Sequence, residues 1–308
     1  MPEMDNGRAS GAHKAAMDVV IVNYNSTTPL LTCLKSVYAV LGADTRVLVV
    51  DNASRDGVSR LAEAFPQAEL FRNLRNLGFA AGVNQGLAKC RAPYVMLLNP
   101  DTLLKVGGWP ETLADLERHP EVGALGPRIL DPDGAVQGSA RSFHSFHTAF
   151  FGRQALLTKW FPDNPLSRRN VLTHAQDDDA PREVDWVSGA CLLARREAVE
   201  QVGGLDERFF LYFEDTDWCR RMWLAGWRVV YWPRATVVHQ IAASGGKRDL
   251  RPLWEFHKSC YRYLGKYALA DKPWLRPAAA ALIGARFCAL ALVRLGRNLL
   301  ARARGALS

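Results

Sequence analysis

The sequence predicts an α/β fold in which helices flank a mostly parallel sheet, followed by a helical extension at the C-terminus. Short apolar runs alternate with helix-length segments over residues 18–126, a rhythm typical of parallel sheets with helices on both faces. The stretch after residue 250 is apolar and basic at helical spacing, which predicts an amphipathic helix. A chain of 308 residues with 48% hydrophobic content suffices for one large domain with such an extension.

Four strands and four helices are predicted in the first part of the chain. The strands are Val19–Asn23, Arg46–Val50, Glu69–Phe71 and Tyr94–Leu98, and the helices lie at 28–40, 57–64, 79–89 and 107–118. Residues 131–182 are rich in Pro, Asp, Arg and His and break this rhythm, which predicts a long excursion rather than a separate domain. Order resumes at Val184–Arg195 and continues with a helix at 216–225 and a strand at Arg228–Tyr231.

Composition limits the possible classes of function. Much of the formal charge of +8 lies at the C-terminus, because seven Lys and Arg residues and no acidic residue follow Asp271. These basic residues alternate with aliphatic side chains rather than stacking aromatic ones, so nucleic-acid binding is disfavoured. Six cysteines without a CxxC pair indicate a reduced, cytosolic protein. Residues 1–16 lack an apolar segment and are predicted to be a disordered leader, not a signal peptide.

Polar side chains follow three of the predicted strands, at the sheet edge where ligands bind in such folds. Asn23 and Asn25 end the first strand, Asp51 ends the second, and Asn99 and Asp101 follow the fourth. Asp51 could accept hydrogen bonds from a base or a ribose, and it could equally cap the next helix. Asp101 is suited to Mg²⁺ or Mn²⁺ between two phosphates, although Asn-Pro-Asp is also a common turn.

The segment Asn76–Asn84 places small residues at the start of a predicted helix. Gly78, Gly82 and two alanines leave its first backbone amides open, and a helix terminus of this kind favours phosphate. Close packing of the helix on the sheet is the alternative explanation of the same glycines.

Three acids, Glu214, Asp215 and Asp217, follow an aromatic run and open a predicted helix. The helix dipole favours acids in the first turn, so capping is one explanation. The apolar surroundings favour another, a pocket in which burial raises the pKa of a carboxylate into the range of a general base. His239 ends a later strand-like stretch, and it is either structural or, opposite Asp101, a metal ligand.

In their order and spacing these motifs resemble the family 2 glycosyltransferases of the GT-A fold, which is Rossmann-like, and within them the rhamnosyltransferase-like branch. The resemblance spans about residues 17–245 and rests on Val20–Asn25, Val49–Ser54, Asn76–Asn84, Leu98–Asp101, Trp186–Ala190 and Phe213–Asp217. It implies a GT-A domain at 17–250, with a nucleotide-binding half at 17–126 and an acceptor and catalytic half at 127–250. Residues 251–308 then form the helical extension.

Position by position, the resemblance implies roles for the site residues. Asp51 looks like the acid that contacts the nucleoside base. Asp101 looks like the metal-binding acid of the Asp-x-Asp motif, with Asn99 in place of the first acid and His239 as a second ligand. Asp215 looks like the general base of the Glu-Asp motif. The remaining donor-side residues are Asn23, Asn25, Asn76, Gly78 and Asn84, and the acceptor and sugar pocket comprises Trp186, Ser188, Gly189, Glu214 and Asp217.

The function implied by the resemblance is inverting sugar transfer that depends on Mg²⁺ or Mn²⁺. The donor is a nucleoside diphosphate sugar of the dTDP or UDP type, with dTDP-L-rhamnose leading. The acceptor is a hydroxyl of a glycan or of a polyprenyl-diphosphate-linked glycan in cell-envelope polysaccharide synthesis. The rival hypothesis is a non-catalytic glycosyltransferase-like scaffold of a membrane-bound complex, and donor-dependent transfer by the purified protein discriminates between the two.

The C-terminal extension has a basic side and apolar sides. At 100° per residue, Arg286, Arg297 and Arg304 fall close together on a helix within 277–304. Arg286 interrupts the best apolar stretch, so no clean run of about 18 residues is expected. The pattern predicts one or two helices lying in the plane of an anionic membrane, peripheral at the cytoplasmic inner face. Packing on the catalytic domain, or on a second subunit in a homodimer, explains the same pattern.

Overall fold

The computed structural model describes residues 17–143, 180–240 and 249–305. The predicted leader and most of the predicted excursion lie outside the described residues. The strands are β1 Met17–Asn23, β2 Arg46–Asp51, β3 Glu69–Arg72, β4 Tyr94–Leu98, β5 Thr102–Leu104, β6 Val122–Leu130, β7 Ala140–Arg141, β8 Arg182–Glu183, β9 Trp186–Val187, β10 Cys191–Arg195 and β11 Arg228–His239.

The helices alternate with the strands in the first half and gather at the C-terminus. They are α1 Thr27–Leu41, α2 Arg60–Ala64, α3 Phe79–Leu87, α4 Trp109–Arg118, α5 Arg196–Val202, α6 Glu214–Leu224, α7 Arg251–Tyr263 and α8 Arg276–Gly305. A π-helical segment, Leu264–Ala268, extends α7, and a 3₁₀ turn, Pro273–Leu275, precedes α8.

The central sheet is mixed but mostly parallel, which confirms the predicted fold class. Its strand order is β3-β2-β1-β4-β10-β6-β11-β5, and β8 pairs with β11. Strands β3, β2, β1 and β4 are parallel, β10 runs antiparallel to both β4 and β6, and β11 is parallel to β6. Six strands therefore end at the same edge, and the short connections after them meet there.

Both faces of the sheet are covered, so the inner strands are buried along their whole length. Every residue of β1 and β4 is buried, which explains their continuous apolar sequences. One face packs on α1, α2 and α4, with Leu30, Leu61 and Trp109 in its core. The other face packs on α3 and α6, with Val83 and Trp218 in its core.

Strand β11 is longer than predicted. The runs at Arg228–Tyr231 and 237–239 belong to one strand of 12 residues. The register shifts between Trp232 and Thr236, and this irregularity allows the strand to continue past Pro233, which cannot donate to a ladder. The longer strand is important because its last residue is His239.

The glycines of α3 are explained by packing. A Cβ atom at Gly82 would lie 2.8 Å from Val22 Cγ1, and one at Gly86 would come closer still to Val20. The alternative explanation of these small residues, close approach of the helix to the sheet, therefore accounts for Gly82.

The C-terminal extension is a pair of packed helices. Helix α8 is a single helix of 30 residues, and Ala279, Ile283 and Ala291 are buried along one side of it. Arg286 lies on this packed side, with its guanidinium 5.7 Å from the Phe256 ring and 3.5 Å from His257 Nε2. This corrects the prediction that Arg286 belongs to a lipid-facing basic side. The side chains of Arg297 and Arg304 lie outside the described residues.

Much of the remaining surface of α8 is apolar and exposed. Leu282, Leu292, Val293 and Leu295 are each at least 44% exposed. By length and composition the segment Pro273–Gly296 is apolar enough to cross a membrane, and only 17% of its best window is buried. As expected, this segment holds no charge-free run of about 18 residues, because Arg276, Arg286 and Arg294 interrupt it. Its Ala, Leu and Ile residues nevertheless keep it apolar enough on average.

We expect Gly86→Ala to destabilise the protein, because the added methyl group would overlap Val20 and β1 cannot move away. Overpacking of this kind costs about 1–3 kcal/mol. Gly284→Ala is the matched control, since no atom lies within 4 Å of the position that a Cβ atom would take there, and alanine in a helix interior is neutral or stabilising by about 1 kcal/mol. Thermal unfolding of both variants checks the prediction, and equal melting temperatures would contradict it.

Candidate active site

The predicted site residues gather at the carboxyl edge of the sheet. Asn23 ends β1, Asp51 ends β2, Asn99 follows β4 and His239 ends β11. Strand β10 runs the opposite way, so the residues before it, Ser188 to Ala190, also lie at this edge. Local strand direction thus brings together side chains that are far apart in the sequence.

Asp101 and His239 form the first cluster at this edge. The antiparallel pairing of β5 with β11 sets His239 opposite Thr102, and this places Asp101 Oδ1 3.2 Å from His239 Nε2. Asn99 Nδ2 lies 3.4 Å from the same nitrogen. The side chains of Asp101 and His239 are 10% and 15% exposed, so the pair is shielded but reachable.

Gln137 orients the His239 ring, and sequence reasoning missed it. Its Nε2 donates to Asp131 Oδ1 at 2.7 Å and to the His239 carbonyl at 3.1 Å. A carboxylate and a carbonyl oxygen can only accept hydrogen bonds, so both contacts use the amide nitrogen of Gln137. Its side-chain oxygen therefore faces the ring and lies 3.2 Å from His239 Nδ1. Nδ1 is therefore the donor, and the lone pair of the neutral ring is on Nε2, facing Asp101.

The predicted nucleotide-side residues form a buried hydrogen-bond network. Asp51 is fully buried, and its oxygens accept from Asn23 Nδ2 at 2.9 Å and from the Ser54 amide at 3.1 Å. Ser54 Oγ also accepts from Asn23 Nδ2 and from the Asn25 amide. In this structure Asp51 braces the turn after β2, while the exposed Asn25 side chain accepts from the Arg55 amide.

The start of α3 is partly occupied by protein acceptors. The Gly78 amide donates to Asn76 Oδ1 at 2.9 Å, and the Phe79 amide donates to the Phe210 carbonyl at 2.8 Å. Gly78 has φ +95°, and a Cβ there would lie 2.7 Å from the Phe210 carbonyl oxygen, so only glycine fits. Two amides of the predicted phosphate site are thus already in use.

Asn84 lies at the far side of α3, away from this edge. Its side chain exchanges two hydrogen bonds with the backbone of Leu205, accepting at 2.7 Å and donating at 2.9 Å. It also donates to Glu207. These contacts tie α3 to the loop before α6, and they give Asn84 a structural role in place of the predicted donor contact.

The three acids of α6 have different surroundings. Asp217 is fully buried, and it binds Arg221 Nε at 2.9 Å, Lys266 Nζ at 2.5 Å and the Tyr267 hydroxyl at 2.7 Å. Glu214 is 5% exposed. Only Asp215 keeps a partly exposed side chain. The predicted place of Asp217 in the acceptor pocket is therefore replaced by a structural one, because its oxygens are bound within the protein.

The electrostatic environment separates Asp215 from Glu214. Burial raises the pKa of Asp215, and hydrogen bonds from the Gly189 amide and from Thr216 oppose that rise. Burial, and then the charge of Asp215, raise the pKa of Glu214 well above its ordinary value. Glu214 Oε2 has no hydrogen-bond partner among the described residues. Asp215 is thus the acid that is both reachable and able to ionise.

The loop before α6 is held in an uncommon backbone conformation. Tyr212 and Phe213 both have positive φ, +70° and +69°, a left-handed region that costs bulky residues about 1–3 kcal/mol each. Such backbone persists only where the surroundings enforce it, and it is frequent at functional sites. Here it turns the chain so that α6 begins directly at the acids.

The segment Trp186–Ala190 connects the two clusters. The Gly189 amide donates to Asp215 Oδ2 at 2.9 Å, and the carbonyl of the next residue, Ala190, accepts from the Asn99 amide at 2.9 Å. The Ser188 amide donates to Ser139, and the Trp186 ring nitrogen donates to Ser142 at 3.0 Å. Asp215 and the Asp101–His239 pair are therefore linked through two consecutive residues.

The fold and this edge define a glycosyltransferase of the GT-A class. Solved structures support the fold: the chain matches GalNAc-T7 with UDP, GalNAc and Mn²⁺ at a TM-score of 0.61 and 17% identity, covering 85% of this chain and 51% of that one. It also matches the mannosyltransferase PcManGT from Pyrobaculum calidifontis, with GDP-Man and Mn²⁺, at a TM-score of 0.53 and 20% identity, covering 96% and 82%.

The chain belongs to glycosyl transferase family 2, whose model matches residues 18–203. It is 36% identical to an N-acetylglucosaminyl-diphospho-decaprenol L-rhamnosyltransferase of Mycobacterium tuberculosis over 260 residues, 80% of this chain and 83% of the relative. It is 36% identical to the rhamnosyltransferase WbbL of Escherichia coli over 174 residues, 56% of this chain and 62% of the relative. These matches confirm the rhamnosyltransferase-like resemblance.

We expect Asp217→Asn to cost about 3–5 kcal/mol of stability, because it breaks a buried ion pair and leaves Arg221 and Lys266 without their shared carboxylate. Asp215→Asn is the matched control in the same helical turn, and it should change stability by about 1 kcal/mol or less because the residue is partly exposed and forms no ion pair within the part of the chain that the structure describes. Urea unfolding of the two variants measures the difference. Equal losses of stability would refute the assigned anchor role.

Proposed function

We propose that this glycosyltransferase transfers L-rhamnose, with inversion and with a divalent metal, from dTDP-rhamnose to a polyprenyl-diphosphate-linked sugar. The observation that carries the proposal is the hydrogen-bonded link through Gly189 and Ala190, which connects Asp215, the proposed general base, to Asn99 beside the Asp101–His239 pair. The similarity to a rhamnosyltransferase for N-acetylglucosaminyl-diphospho-decaprenol supports the choice of sugar and acceptor.

Asp101 and His239 fit a divalent metal. Two ligands bound at right angles to an ion, each at about 2.1 Å, lie about 3 Å apart, and the two atoms here are 3.2 Å apart. With Nδ1 donating to Gln137, Nε2 is the ring nitrogen that can bind a cation together with the Asp101 carboxylate. Mixed oxygen and nitrogen ligation favours Mn²⁺ over Mg²⁺. Among the described residues no group of three or more His, Cys, Asp or Glu side chains could hold a metal; Asp101 and His239 would hold the ion, and it would supply positive charge beside the donor phosphates.

The chain's own residues then carry the displacement. When bound, the metal offsets charge on the leaving diphosphate. Asp215 accepts the proton of the acceptor hydroxyl. The hydroxyl oxygen attacks the anomeric carbon from the face opposite the leaving group as it loses this proton. The C–O bond to the diphosphate breaks as the new C–O bond forms, and the configuration inverts. The Gly189 amide fixes the Asp215 carboxylate during this step.

We propose a place for the enzyme at the cytoplasmic face of a membrane. A lipid-linked acceptor lies in a membrane, so the enzyme must reach that membrane. The exposed apolar residues of α8 supply the contact with the lipid. The competing explanation is a homodimer in which a second copy of the chain covers these residues of α8. Flotation with anionic liposomes distinguishes the two, since a dimer that covers α8 would remain unbound.

We expect Asp101→Ala to abolish Mn²⁺-dependent binding of dTDP, because one carboxylate anchors the ion. Gln137→Leu should weaken Mn²⁺ binding by roughly 10–100-fold through loss of the ring orientation, the usual effect of an outer-sphere partner. Asn84→Ala is the control on the donor side and should leave metal dependence unchanged. Calorimetry with dTDP in the presence and absence of Mn²⁺ measures the affinity of all three variants. An Asp101→Ala variant whose dTDP affinity still depends on Mn²⁺ as in the wild type would refute the metal site.

We expect Asp215→Asn to lower turnover by roughly two to four orders of magnitude, the usual worth of a positioned base, while donor binding survives. A base works deprotonated, so wild-type activity is retained above the raised pKa of Asp215 and is lost as the pH falls through it. The residual activity of Asp215→Asn should lack this acid limb, and Glu214→Gln should keep it. Near-normal turnover in Asp215→Asn would show that another residue is the base. Absence of donor-dependent transfer by the wild type would favour a non-catalytic scaffold.

A further inference from the structure

A cavity of about 290 Å³ lies between the loop before α6, the end of α7 and the start of α8. It is outside the carboxyl-edge site described above. Four cationic side chains and a single carboxylate line it: Arg208, Arg262, Lys266, Arg276 and Asp206. The lining thus carries an excess of three positive charges, four cations against one carboxylate.

The one carboxylate is already engaged. Asp206 binds Arg208 at 2.5 Å and Lys266 at 3.0 Å. Hydrogen bonds from Arg208, and then from Lys266, hold the pKa of Asp206 well below its ordinary range, so it is charged at neutral pH but shared by two cations. It cannot also neutralise the remaining two arginines.

Arg262 and Arg276 are the cations without an anionic partner. Arg276 donates to the Gly265 carbonyl at 2.9 Å, and no ion pair is formed by Arg262 or Arg276 within the described ranges. Two guanidinium groups at one cavity, each with unused donors, form the arrangement that binds phosphate oxygens in paired hydrogen bonds.

The cavity lies between the start of α8 and helix α6, which carries Asp215. Arg276 is the first residue of α8, and Trp274 and Leu275 beside it are 69% and 40% exposed. On its other side Lys266 binds Asp217, which lies in the same helical turn as Asp215.

We propose that this cavity binds the diphosphate of the polyprenyl-diphosphate-linked acceptor. The proposal rests on the proposed function and names the part of the acceptor that the protein holds. A diphosphate diester carries two negative charges, one for each of the unpaired guanidinium groups of Arg262 and Arg276, whereas a phospholipid headgroup carries a single charge. The apolar side of α8 begins beside the cavity and offers a surface for the polyprenyl chain.

The test is calorimetry of the full chain with farnesyl diphosphate as the probe. We expect Arg262→Gln/Arg276→Gln to weaken binding by at least about tenfold, because charge-assisted hydrogen bonds to phosphate are lost. Lys89→Gln/Arg91→Gln removes the same charge from two exposed residues elsewhere and should leave the affinity unchanged. Both double variants should bind dTDP with Mn²⁺ as the wild type does, and matching melting temperatures exclude a folding effect.

Three results would overturn the proposal. The first is a wild type that binds dTDP but no farnesyl diphosphate. The second is an equal loss of affinity in both double variants, which would reduce the effect to net charge. The third is displacement of the probe by phosphatidylglycerol vesicles as effectively as by a polyprenyl diphosphate, which would assign the cavity to bulk lipid. Binding of farnesyl diphosphate without any nucleotide binding would instead refute the proposed function and retain the diphosphate site.

Discussion

The buried carboxylate of Asp217 fixes the position of helix α6, and the direction in which Asp215 points depends on it. Asp217 binds Lys266 and Tyr267 beyond α7, and it binds Arg221 one turn along its own helix. Arg221 in turn donates to the carbonyls of Val202 and Gly204. A buried charge is tolerated only with a complete set of partners, so this one side chain ties three segments of the chain together.

Helix α7 stabilises the strained loop before α6. The left-handed backbone at Tyr212 and Phe213 is unfavourable by itself. It is compensated where Phe213 packs against Phe256 and Tyr263, with ring centroids 5.5 Å apart in each pair, and where Ser259 Oγ donates to the Leu211 carbonyl at 2.9 Å. All three partners belong to α7. The C-terminal helices are therefore part of the scaffold of the candidate active site.

Much of the fold and part of the site could be predicted because they depend on local patterns. Buried parallel strands have continuous apolar sequences. The polar residues that follow them, such as Asp51 and Asp101, must therefore lie at the same edge of the sheet. Other features depend on distant partners that no local pattern reveals. Gln137 carries no periodic signal, and its role becomes visible only when β6 and β11 lie side by side. Arg286 has the same helical spacing whether a membrane or α7 covers it.

The three acids of α6 show how their surroundings distinguish the proposed base, Asp215, from its two neighbours. Burial and the adjacent charge of Asp215 raise the pKa of Glu214, which favours its neutral form. Asp217 is charged but paired, and its oxygens are bound by the protein. Only Asp215 combines a partly exposed carboxylate, a pKa raised by burial and an amide that orients it. A second free negative charge in the same turn would raise the pKa of Asp215 further and repel the donor diphosphate, so the pairing of Asp217 and the neutral form of Glu214 favour the proposed role of Asp215.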